Sequence, residues 1–526
     1  MRLVSADEMR RLDRLTIEAG TPGHVLMERA GQGATRVLLE VFPRLRRRGG
    51  RALIVAGKGN NGGDGLVVAR LLRRRGVRTE VALVGSAAEV TGDALRNLRA
   101  YQRLRAPLFE VRDAAGLARL AAAASGTDAV VDALLGLGLR SAVEGVHAEV
   151  IEIVNTCGAP VLAVDIPSGL NADTGCPMGT AVQAEATATF GFAKIGHALY
   201  PGVRYCGLLR VIDIGLSPEA IAAVPPTAEL LEPENAARLV PWRAPDAHKG
   251  DFGHVLVLAG SFGKTGAAQL ATRGAGRAGA GLVTAVAPLS LYAVYAAAAR
   301  EAMTDALPDD DGRIRFDRDR LGALSSGKNA IVIGPGLGTH DGAAETLAFV
   351  LTQLESAVVA DADALTLLAR DLAQLARRRA PLVVTPHPGE MSRLAGIDTA
   401  SVQRDRVGVA RQFATAHGCT VVLKGARTVI AEESGFASIN PTGNPGMASG
   451  GMGDVLAGVI GGLLAQGLSP PEAARLGVYL HGFAADRAAA NGTIGLLAGD
   501  VAEELRPALQ ALHAYLGDAP NATDER

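Results

Sequence analysis

The feature that most constrains the fold is an alternation of short β-branched runs with longer stretches rich in Ala, Leu and Arg. One series of runs comprises residues 51–56, 79–84, 129–133, 161–165 and 186–190. A second comprises residues 254–259, 281–287, 330–334, 357–361, 382–385, 420–424 and 428–431. Strands that alternate with helices are typical of parallel βαβ units. The alternation therefore predicts an α/β sandwich in each half of the chain.

A proline-rich segment separates the two series. Between Ser217 and Asp251, prolines stand at positions 218, 225, 226, 233, 241 and 245, and no periodic apolar pattern continues through them. Such a segment is typical of a domain boundary. A chain of 526 residues is also too long for one ordinary core. We therefore expect an N-terminal domain of residues 1–222 and a C-terminal domain of residues 223–526.

Composition argues against several classes of partner and site. The chain has 53 basic and 54 acidic residues, a balance that argues against nucleic-acid or membrane-surface binding. Its 4 cysteines show neither CxxC spacing nor histidines at ligand spacing, so neither zinc nor a disulfide framework is indicated. The N-terminus lacks a signal-peptide core, and the longest apolar stretch is shorter than the roughly 20 residues of a membrane span. We expect a cytoplasmic, soluble protein with no nucleic-acid partner.

The sharpest motif of the N-terminal half is GKGNNGGDG at residues 57–65, directly after a predicted strand. Its glycines satisfy the dinucleotide pattern GxGxxG, but the stretch that begins at Gly274 satisfies the same spelling ahead of a strand. That fingerprint does not require Asn60, Asn61 or Asp64. Their side chains could bind a cation, a phosphate or a ribose, or could close an Asx turn on themselves. The motif predicts a functional loop and leaves its ligand open.

Two further strand ends in this half carry acids. Asp132 precedes the glycine-containing loop 136–142, and Asp165 begins the sequence DIPSG. A lone acid at such a position is often a helix cap. Ligands, however, bind at the carboxyl ends of parallel strands in α/β folds. The three glycine-rich ends together therefore predict one shared cleft.

In the C-terminal half, residues 443–458 read GNPGMASGGMGDVLAG and deliver Asp454 to the first turn of an apolar helix. Glycines let backbone N–H groups approach anionic oxygens, and the helix N-terminus adds a positive dipole. The acid can take a proton from an attacking hydroxyl. An acid that only favoured the helix dipole would not need these glycines ahead of it. The segment predicts a phosphoryl-transfer site.

Other strand ends of this half extend the predicted site into a groove. The loop at 260–268 resembles a P-loop but fails its pattern, because position 258 is Leu258 rather than glycine. Glycines or acids also follow the strands at 334–338, 361–363 and 424–428. His387, between two prolines, could contact substrate or serve only the structure, and Lys424 could bind phosphate or be solvated. Such a groove suits a nucleotide beside a large second substrate.

The N-terminal motifs resemble the YjeF N-terminal domain, the NAD(P)H-hydrate epimerase, over residues 5–216. The resemblance rests on MERAG at 27–31, GKGNNGGDG, DALLGLGL at 132–139, VDIPSGL at 164–170 and FAKIGH at 192–197. It implies a Rossmann-like three-layer sandwich with Asp165 as catalytic acid or base. It also implies a potassium ion on Asn61, Asp132 and Ser168, whose oxygens suit a hard cation. The implied substrate contacts are Asn60, Asn61, Gly62, Gly63, Asp64, Gly136, Leu137, Gly138, Leu139, Arg140, Ser141, Ala142 and Asp165.

The C-terminal motifs resemble the ribokinase-like superfamily and, within it, the YjeF C-terminal NAD(P)H-hydrate dehydratase, over residues 247–516. The resemblance rests on HKGDFGHVLVLAGS at 248–261, PHPGE at 386–390, KGARTVI at 424–430 and the glycine-rich segment. It implies a ribokinase-like three-layer α/β sandwich that uses magnesium with ADP or ATP. The implied substrate contacts are Ala267, Gly336, His387 and the catalytic Asp454. The implied nucleotide contacts are Lys424, Gly425, Ala426, Arg427, Thr428 and Gly453.

Together the resemblances imply repair of damaged nicotinamide nucleotides. The N-terminal domain would interconvert the R and S forms of hydrated NADH and NADPH, and the C-terminal domain would dehydrate the S form. The fused arrangement resembles bacterial members, which favours ADP as donor, and we expect a homo-oligomer. Two alternatives are a ribokinase-like small-molecule kinase with a regulatory N-terminal domain, and an N-terminal half that only binds.

Overall fold

The computed structural model describes residues 1–139 and 141–516 and divides the chain into two compact units. The N-terminal unit is Arg2–Ala228, and the C-terminal unit begins at Glu229 and also contains Met1. The domain limits at residues 222 and 223 stay a prediction.

The N-terminal unit alternates strands and helices. Its strands are β1 (Arg2–Val4), β2 (Arg51–Ala56), β3 (Arg78–Val84), β4 (Leu108–Val111), β5 (Ala129–Ala133), β6 (Val161–Val164), β7 (Ala186–Phe190), β8 (Ala193–Lys194) and β9 (Leu208–Ile212). Its helices are α1 (Ala6–Glu18), α2 (Gly23–Val41), α3 (Asn60–Arg74), α4 (Gly92–Gln102), α5 (Ala114–Ala124), α6 (Val146–Thr156), α7 (Ile195–Ala198), α8 (Gly202–Cys206) and α9 (Pro218–Ala223). Ser5 and Glu8 form a capping box at the start of α1, which stabilises this helix start.

The main sheet of this unit has 7 strands in the order β4-β3-β2-β5-β6-β7-β9. Every neighbouring pair is parallel. Ala52, Ile54 and Ala56 of β2 belong to one core cluster, whereas Leu53 and Val55 belong to another. Apolar cores therefore cover both faces, which confirms the α/β sandwich. The strand order reverses between β2 and β5, where doubly wound folds bind ligands.

The C-terminal unit has the same alternation. Its strands are β10 (Ala228–Leu230), β11 (His254–Leu258), β12 (Leu282–Pro288), β13 (Met303–Leu307), β14 (Asp309–Asp310), β15 (Arg313–Ile314), β16 (Ala330–Ile333), β17 (Ala357–Ala360), β18 (Leu382–Val384), β19 (Thr420–Leu423), β20 (Val429–Ala431) and β21 (Ala437–Ile439). Its helices are α10 (Pro233–Ala237), α11 (Thr265–Arg277), α12 (Tyr292–Ala298), α13 (Arg318–Ser325), α14 (Asp341–Gln353), α15 (Asp363–Leu368), α16 (Ala373–Arg377), α17 (Pro388–Ala395), α18 (Thr399–Arg404), α19 (Arg406–His417), α20 (Met452–Ala465), α21 (Pro470–Ala488) and α22 (Ala498–His513).

The sheet of this unit runs β13-β12-β11-β16-β17-β18-β19-β20-β21. Its strands are parallel from β13 to β19, whereas β20 and β21 pair antiparallel. The order reverses between β11 and β16. The carboxyl ends of the parallel strands therefore gather the predicted strand-end residues at one edge of the sheet.

Helix α20 is the central apolar helix of this unit. Most of its length is buried against α11 and the sheet. A Cβ on Gly458 would lie 2.0 Å from the carbonyl oxygen of Ala271, and one on Gly274 would lie 2.4 Å from that of Val455. Glycine is therefore required on both helices for this close approach. The packing fixes the helix that carries Asp454.

The structure departs from the predicted elements mainly at the edges of the sheets. The sequence did not predict the edge strands β4, β9 and β13, which are short and only partly buried. It also did not predict β21, a buried strand of three residues. The proline-rich segment, in which no periodic pattern was found, contains α9, β10 and α10, with proline in the first turn of both helices. Among residues 1–139 and 141–516, no helix combines the length and the apolar character that a bilayer span requires.

Candidate active sites

The first site lies where the loops after β2 and β5 approach each other. A Cβ on Gly57 would lie 2.0 Å from the carbonyl oxygen of Leu134, and one on Gly62 would lie 1.9 Å from that of Gly57. The glycines of GKGNNGGDG thus permit backbone contact between two loops. Helix α3 begins at Asn60, and the free N–H groups of such a helix start favour an anion.

A cavity of about 760 Å³ opens at this point and is large enough for a nucleotide. It brings together many of the predicted contacts: Asn60, Asn61, Asp64, Gly136, Leu137, Gly138, Leu139, Ser141 and Asp165 line it. Gly62 and Gly63 are buried in the first turn of α3, and Ala142 is exposed away from the cavity lining. Arg140 lies outside the described residues.

Asp165 forms a buried ion pair that the sequence reasoning missed. Its Oδ1 accepts hydrogen bonds from Nζ of Lys194, from Oγ1 of Thr189 at 3.0 Å and from the N–H of Phe190 at 3.3 Å. The Lys194 side chain is 0% exposed. Asp165 itself has a φ of 64°, a region that an aspartate occupies at some cost. The FAKIGH motif contained Lys194, but only the fold shows that this lysine faces the acid.

Asn61, Asp132 and Ser168, the predicted cation ligands, lie together behind this cavity. Oγ and the N–H of Ser168 donate to Asp132 at 2.6 and 2.8 Å, and Nδ2 of Asn61 donates to the Leu135 carbonyl at 2.9 Å. Oδ1 of Asn61 is buried without a hydrogen-bond partner. Burial raises the pKa of Asp132 to about 6, against the hydrogen bonds from Ser168. An unpaired oxygen beside a buried carboxyl that has only neutral donors fits a monovalent cation.

The second site is centred on the start of α20. Gly451 precedes the helix with a φ of 88°, and Asp454 lies in the first turn, as predicted from the glycine-rich segment. Burial, followed by the charge of Asp361, raises the pKa of Asp454 to about 6, and Lys424 opposes this shift. A carboxyl with this pKa is matched to proton transfer near neutral pH.

Lys424 and Gly453 lie beside this acid, and their environment was not predicted. Nζ of Lys424 contacts Oδ1 of Asp361 at 2.6 Å and Oε2 of Glu390 at 3.9 Å. A Cβ on Gly453 would lie 3.2 Å from the same Nζ. Burial alone would lower the pKa of Lys424, but Asp361 and Glu390 outweigh it and raise this pKa. Lys424 is therefore a charged group at the glycine-rich turn.

His387 is the N-cap of α17 rather than part of an extended loop. Its Nδ1 accepts from the N–H groups of Gly389 at 3.0 Å and Glu390 at 3.3 Å. Burial, together with the charges of Lys424 and Arg393, lowers the pKa of His387. The ring is half-exposed and neutral, so Nε2 can still meet a ligand.

Ala267 and Gly336 lie next to each other, as a shared substrate surface would require. A Cβ on Gly336 would lie 3.1 Å from that of Ala267, and its φ of 62° favours glycine. Nζ of Lys264 contacts Oδ2 of Asp363 at 3.3 Å, and Asp363 in turn raises the pKa of Asp454. The ion pair of Lys264 and Asp363 therefore lies close enough to the α20 site to act on the charge of Asp454.

The loop from Lys424 to Thr428 is held in place by a buried arginine that the sequence reasoning did not identify. Arg406 donates to the carbonyl oxygens of Ala426 at 3.0 Å and Leu423 at 2.9 Å. Oγ1 of Thr428 donates to the carbonyl of Gly425 at 3.0 Å. The turn also includes Arg427, at a φ of 59°. The predicted nucleotide loop is thus a shaped and anchored segment.

Family models match both halves of the chain. One described as YjeF-related protein N-terminus matches residues 23–196, and one described as NAD(P)H-hydrate dehydratase matches residues 255–507. A solved structure of the ADP/ATP-dependent NAD(P)H-hydrate dehydratase from Bacillus subtilis, co-crystallized with ATP/Mg2+, is 32% identical. It covers 54% of this chain and 98% of its own, with a TM-score of 0.49.

Curated relatives match nearly the whole chain. The Bifunctional NAD(P)H-hydrate repair enzyme Nnr of Moorella thermoacetica is 42% identical, over 97% of this chain and 97% of its own. The protein of the same name from Coxiella burnetii is 40% identical, over 95% of this chain and 97% of its own. The chain therefore belongs to the family of bifunctional NAD(P)H-hydrate repair enzymes.

Proposed function

We propose that this protein repairs hydrated NADH and NADPH. Its N-terminal unit interconverts the R and S epimers, and its C-terminal unit dehydrates the S epimer with ADP or ATP as phosphoryl donor. The observation that carries the proposal is similarity to repair enzymes along 97% of the chain, with an acid-bearing cleft in each unit. The same similarity disfavours a small-molecule kinase with a regulatory front domain.

In the dehydratase site, Asp454 takes the proton from the ring hydroxyl as that oxygen attacks the terminal phosphate of the donor. A pKa of about 6 leaves Asp454 largely ionised at neutral pH, so that it can accept this proton. Backbone N–H groups at the start of α20 stabilise the charge that develops on the phosphoryl oxygens. The lone pair of the ring nitrogen then expels inorganic phosphate from the carbon that bore the hydroxyl and forms a carbon–nitrogen double bond. Loss of a proton from the adjacent carbon to water restores the carbon–carbon double bond of the reduced nicotinamide.

Lys424 and the loop that follows it hold the donor nucleotide. Because Asp361 and Glu390 are its neighbours, Lys424 stays charged. Its contact with Asp361 holds the ammonium group in a position to face the phosphates. The loop of Gly425, Ala426, Arg427 and Thr428 contacts the adenylate, and Gly453 lets the chain approach the phosphates. Magnesium would arrive with the nucleotide, because in such sites the ion is bound by phosphate oxygens of the nucleotide together with water and one or two carboxylates. Ala267, Gly336 and His387 contact the hydrated nicotinamide nucleotide.

In the epimerase site, Asp165 acts as acid or base on the hydroxyl-bearing carbon. The hydrogen bonds from Lys194, Thr189 and the Phe190 N–H hold its carboxyl in place. The residues of GKGNNGGDG and of the loop after β5 hold the rest of the nucleotide. Potassium on Asn61, Asp132 and Ser168 would supply positive charge beside the loop that binds the phosphates.

One experiment tests both activities. The purified protein is incubated with mixed hydrate epimers and either ADP or ATP, with and without potassium. We expect the absorbance of reduced nicotinamide to recover in two phases, with free phosphate as co-product. Removal of potassium should slow only the second phase, which epimerisation limits.

Variants separate the two sites. Asp165→Ala should keep the first phase and lose the second, because one epimer still reaches an intact dehydratase. Equal loss of both phases in Asp165→Ala would contradict separate sites. A stable phosphorylated product without recovery of absorbance would instead support the kinase alternative.

A further inference from the structure

The epimerase cavity contains more acids than the mechanism above uses. Asp13 of α1 and Asp64 of α3 line the same cavity as Asp165 and Lys194. Epimerisation at the hydroxyl-bearing carbon must remove the hydroxyl from one face of the ring and restore it on the other. A single acid or base on one face leaves the second proton transfer without a partner.

Asp13 differs from Asp165 in the contacts that its carboxyl makes. Oδ1 of Asp13 is buried without a hydrogen-bond partner, whereas Oδ1 of Asp165 accepts from Lys194, Thr189 and the N–H of Phe190. Arg10 of the same helix, which also lines the cavity, contacts Asp7 and the carbonyl of Leu137 instead. The fold therefore gives Oδ1 of Asp165 three donors and Oδ1 of Asp13 none.

The protonation states follow these contacts. Burial, then the charge of Asp165, raises the pKa of Asp13 to about 6, against the opposing effect of Lys194. Burial, then Asp165 and Asp13, raises the pKa of Asp64 well above its ordinary value. Two carboxyls that share one cavity but have different surroundings are the usual arrangement of an acid and base pair.

We propose that Asp13 is a second catalytic carboxyl of the epimerase, which serves one face of the ring while Asp165 serves the other. The inference rests on the proposed epimerase function. The Asp13 carboxylic acid gives its proton to the hydroxyl oxygen, the carbon–oxygen bond breaks and water leaves. The lone pair of the ring nitrogen forms a carbon–nitrogen double bond. Water then adds to the opposite face and gives its proton to the Asp165 carboxylate, and the reverse reaction exchanges the two roles.

Other charged groups share the cavity and bear on the pH dependence. They are Arg10, Lys58, Asp64, Asp93, Asp165 and Lys194. Burial and Lys58 lower the pKa of His147, which also lines the cavity, and burial and Lys194 lower that of His197 to about 3. Both imidazoles are therefore neutral near pH 7, and the pKa of the Asp13 carboxyl is raised to about 6.

The test uses the full-length protein and one purified epimer without donor nucleotide. Formation of the other epimer is followed by chromatography, and incorporation of ¹⁸O from labelled water reports loss and return of the hydroxyl. Asp13→Asn should lower kcat for epimerisation by about 10²- to 10⁴-fold with little change in KM. Asp13→Glu, which keeps a carboxylic acid, should recover part of the rate. Glu18→Gln, on the exposed end of the same helix, is the matched control and should leave the rate unchanged.

Further readouts separate catalysis from folding. Thermal unfolding of the Asp13→Asn protein should show the same transitions as the wild type, which shows that the N-terminal unit is folded, and donor-dependent dehydration should remain normal. The residual epimerisation rate of Asp13→Asn should no longer fall as the pH rises through about 6. A normal kcat, or a raised KM alone, in Asp13→Asn would overturn the inference. A wild-type protein that does not interconvert the epimers would instead overturn the proposed epimerase function, and this inference with it.

Discussion

Each unit of the molecule places a lysine among several carboxyls, fully buried in the case of Lys194 and partly buried in the case of Lys424, but the two lysines have different partners. In the N-terminal unit, Lys194 pairs with Asp165, the proposed acid or base itself. In the C-terminal unit, Lys424 pairs with Asp361 at 2.6 Å, and the proposed base Asp454 is left with a raised pKa. The position of an acid at a strand end or helix start therefore does not by itself fix its pKa, because burial and neighbouring charges also contribute.

The different surroundings of Asp165 and Asp454 agree with the different reactions proposed for the two sites. The carboxyl of Asp165 accepts from three donors, one of which is the buried Lys194. Asp454 has no such donor among the contacts described above and is poised close to neutral pH. The predictions below test whether the choice of partner, rather than the presence of an acid, controls each site.

The largest effect is expected from removal of the proposed dehydratase base. Asp454→Asn should lower kcat for donor-dependent dehydration by about 10²- to 10⁴-fold, because the amide cannot accept the hydroxyl proton. Binding of ADP or ATP, measured by calorimetry, should be retained. Substantial remaining turnover would show that Asp454 is not the base.

The next effect concerns stability in the N-terminal unit. Asp165→Asn should destabilise the protein by about 3–5 kcal/mol, because it leaves the fully buried Lys194 without its counter-charge. Thermal unfolding at neutral pH measures this loss. The double variant Asp165→Asn with Lys194→Met should recover much of it, and no recovery would mean that the ion pair is not the cause.

A third prediction moves the lysine from one carboxyl to another in the C-terminal unit. Asp361→Asn should free Lys424 to pair with Asp454 and also remove the repulsion from Asp361, so the pKa of Asp454 should fall. If the ionised form of Asp454 is the base, the rate of dehydration should fall as the pH drops below about 6. In Asp361→Asn this fall in rate should occur at a pH that is lower by at least about one unit. A fall in rate at the same pH as in the wild type would assign the titration to another group.

The smallest effect is a gain in stability from the same variant that abolishes dehydration. The pKa of Asp454 rises from 3.8 to about 6 on folding, so ionisation of this acid disfavours the folded state. Above pH 6, the free energy of unfolding of Asp454→Asn should therefore exceed that of the wild type by about 1–2 kcal/mol after allowance for solvent screening. Thermal unfolding at a series of pH values measures this gain. The gain in the free energy of unfolding should shrink as the pH falls from about 6 and should vanish below pH 3.8. A gain that is independent of pH would indicate a packing effect instead.

Much of the fold could be predicted from local pattern. The central parallel strands are continuous apolar runs buried on both faces, so their positions agree with the sequence to within a residue or two. The edge strand β9 and the short strand β21 could not be found in this way, because their burial depends on neighbours far away in the chain. The short elements in the proline-rich segment were missed for the same reason.

The candidate sites show the same division. Asp454, Asn61 and Asp165 were identifiable because glycines and strand ends mark them in the sequence. Lys194, Asp13 and Arg406 were not, since each acts through a partner that is distant along the chain or on another element. Contacts of this kind leave no spacing pattern to read.

The sequence by itself determined the alternation of strands and helices, the two-part organisation and the motifs that place the chain in its family. These features depend on periodicity and on glycine, whose conformational freedom is a local property. Only the tertiary structure decided which lysine neutralises which acid, which carboxyl remains without a partner, and which amide oxygen is left for a cation. Those outcomes depend on burial and on distances of a few ångströms between remote residues, which set the cost of each charge.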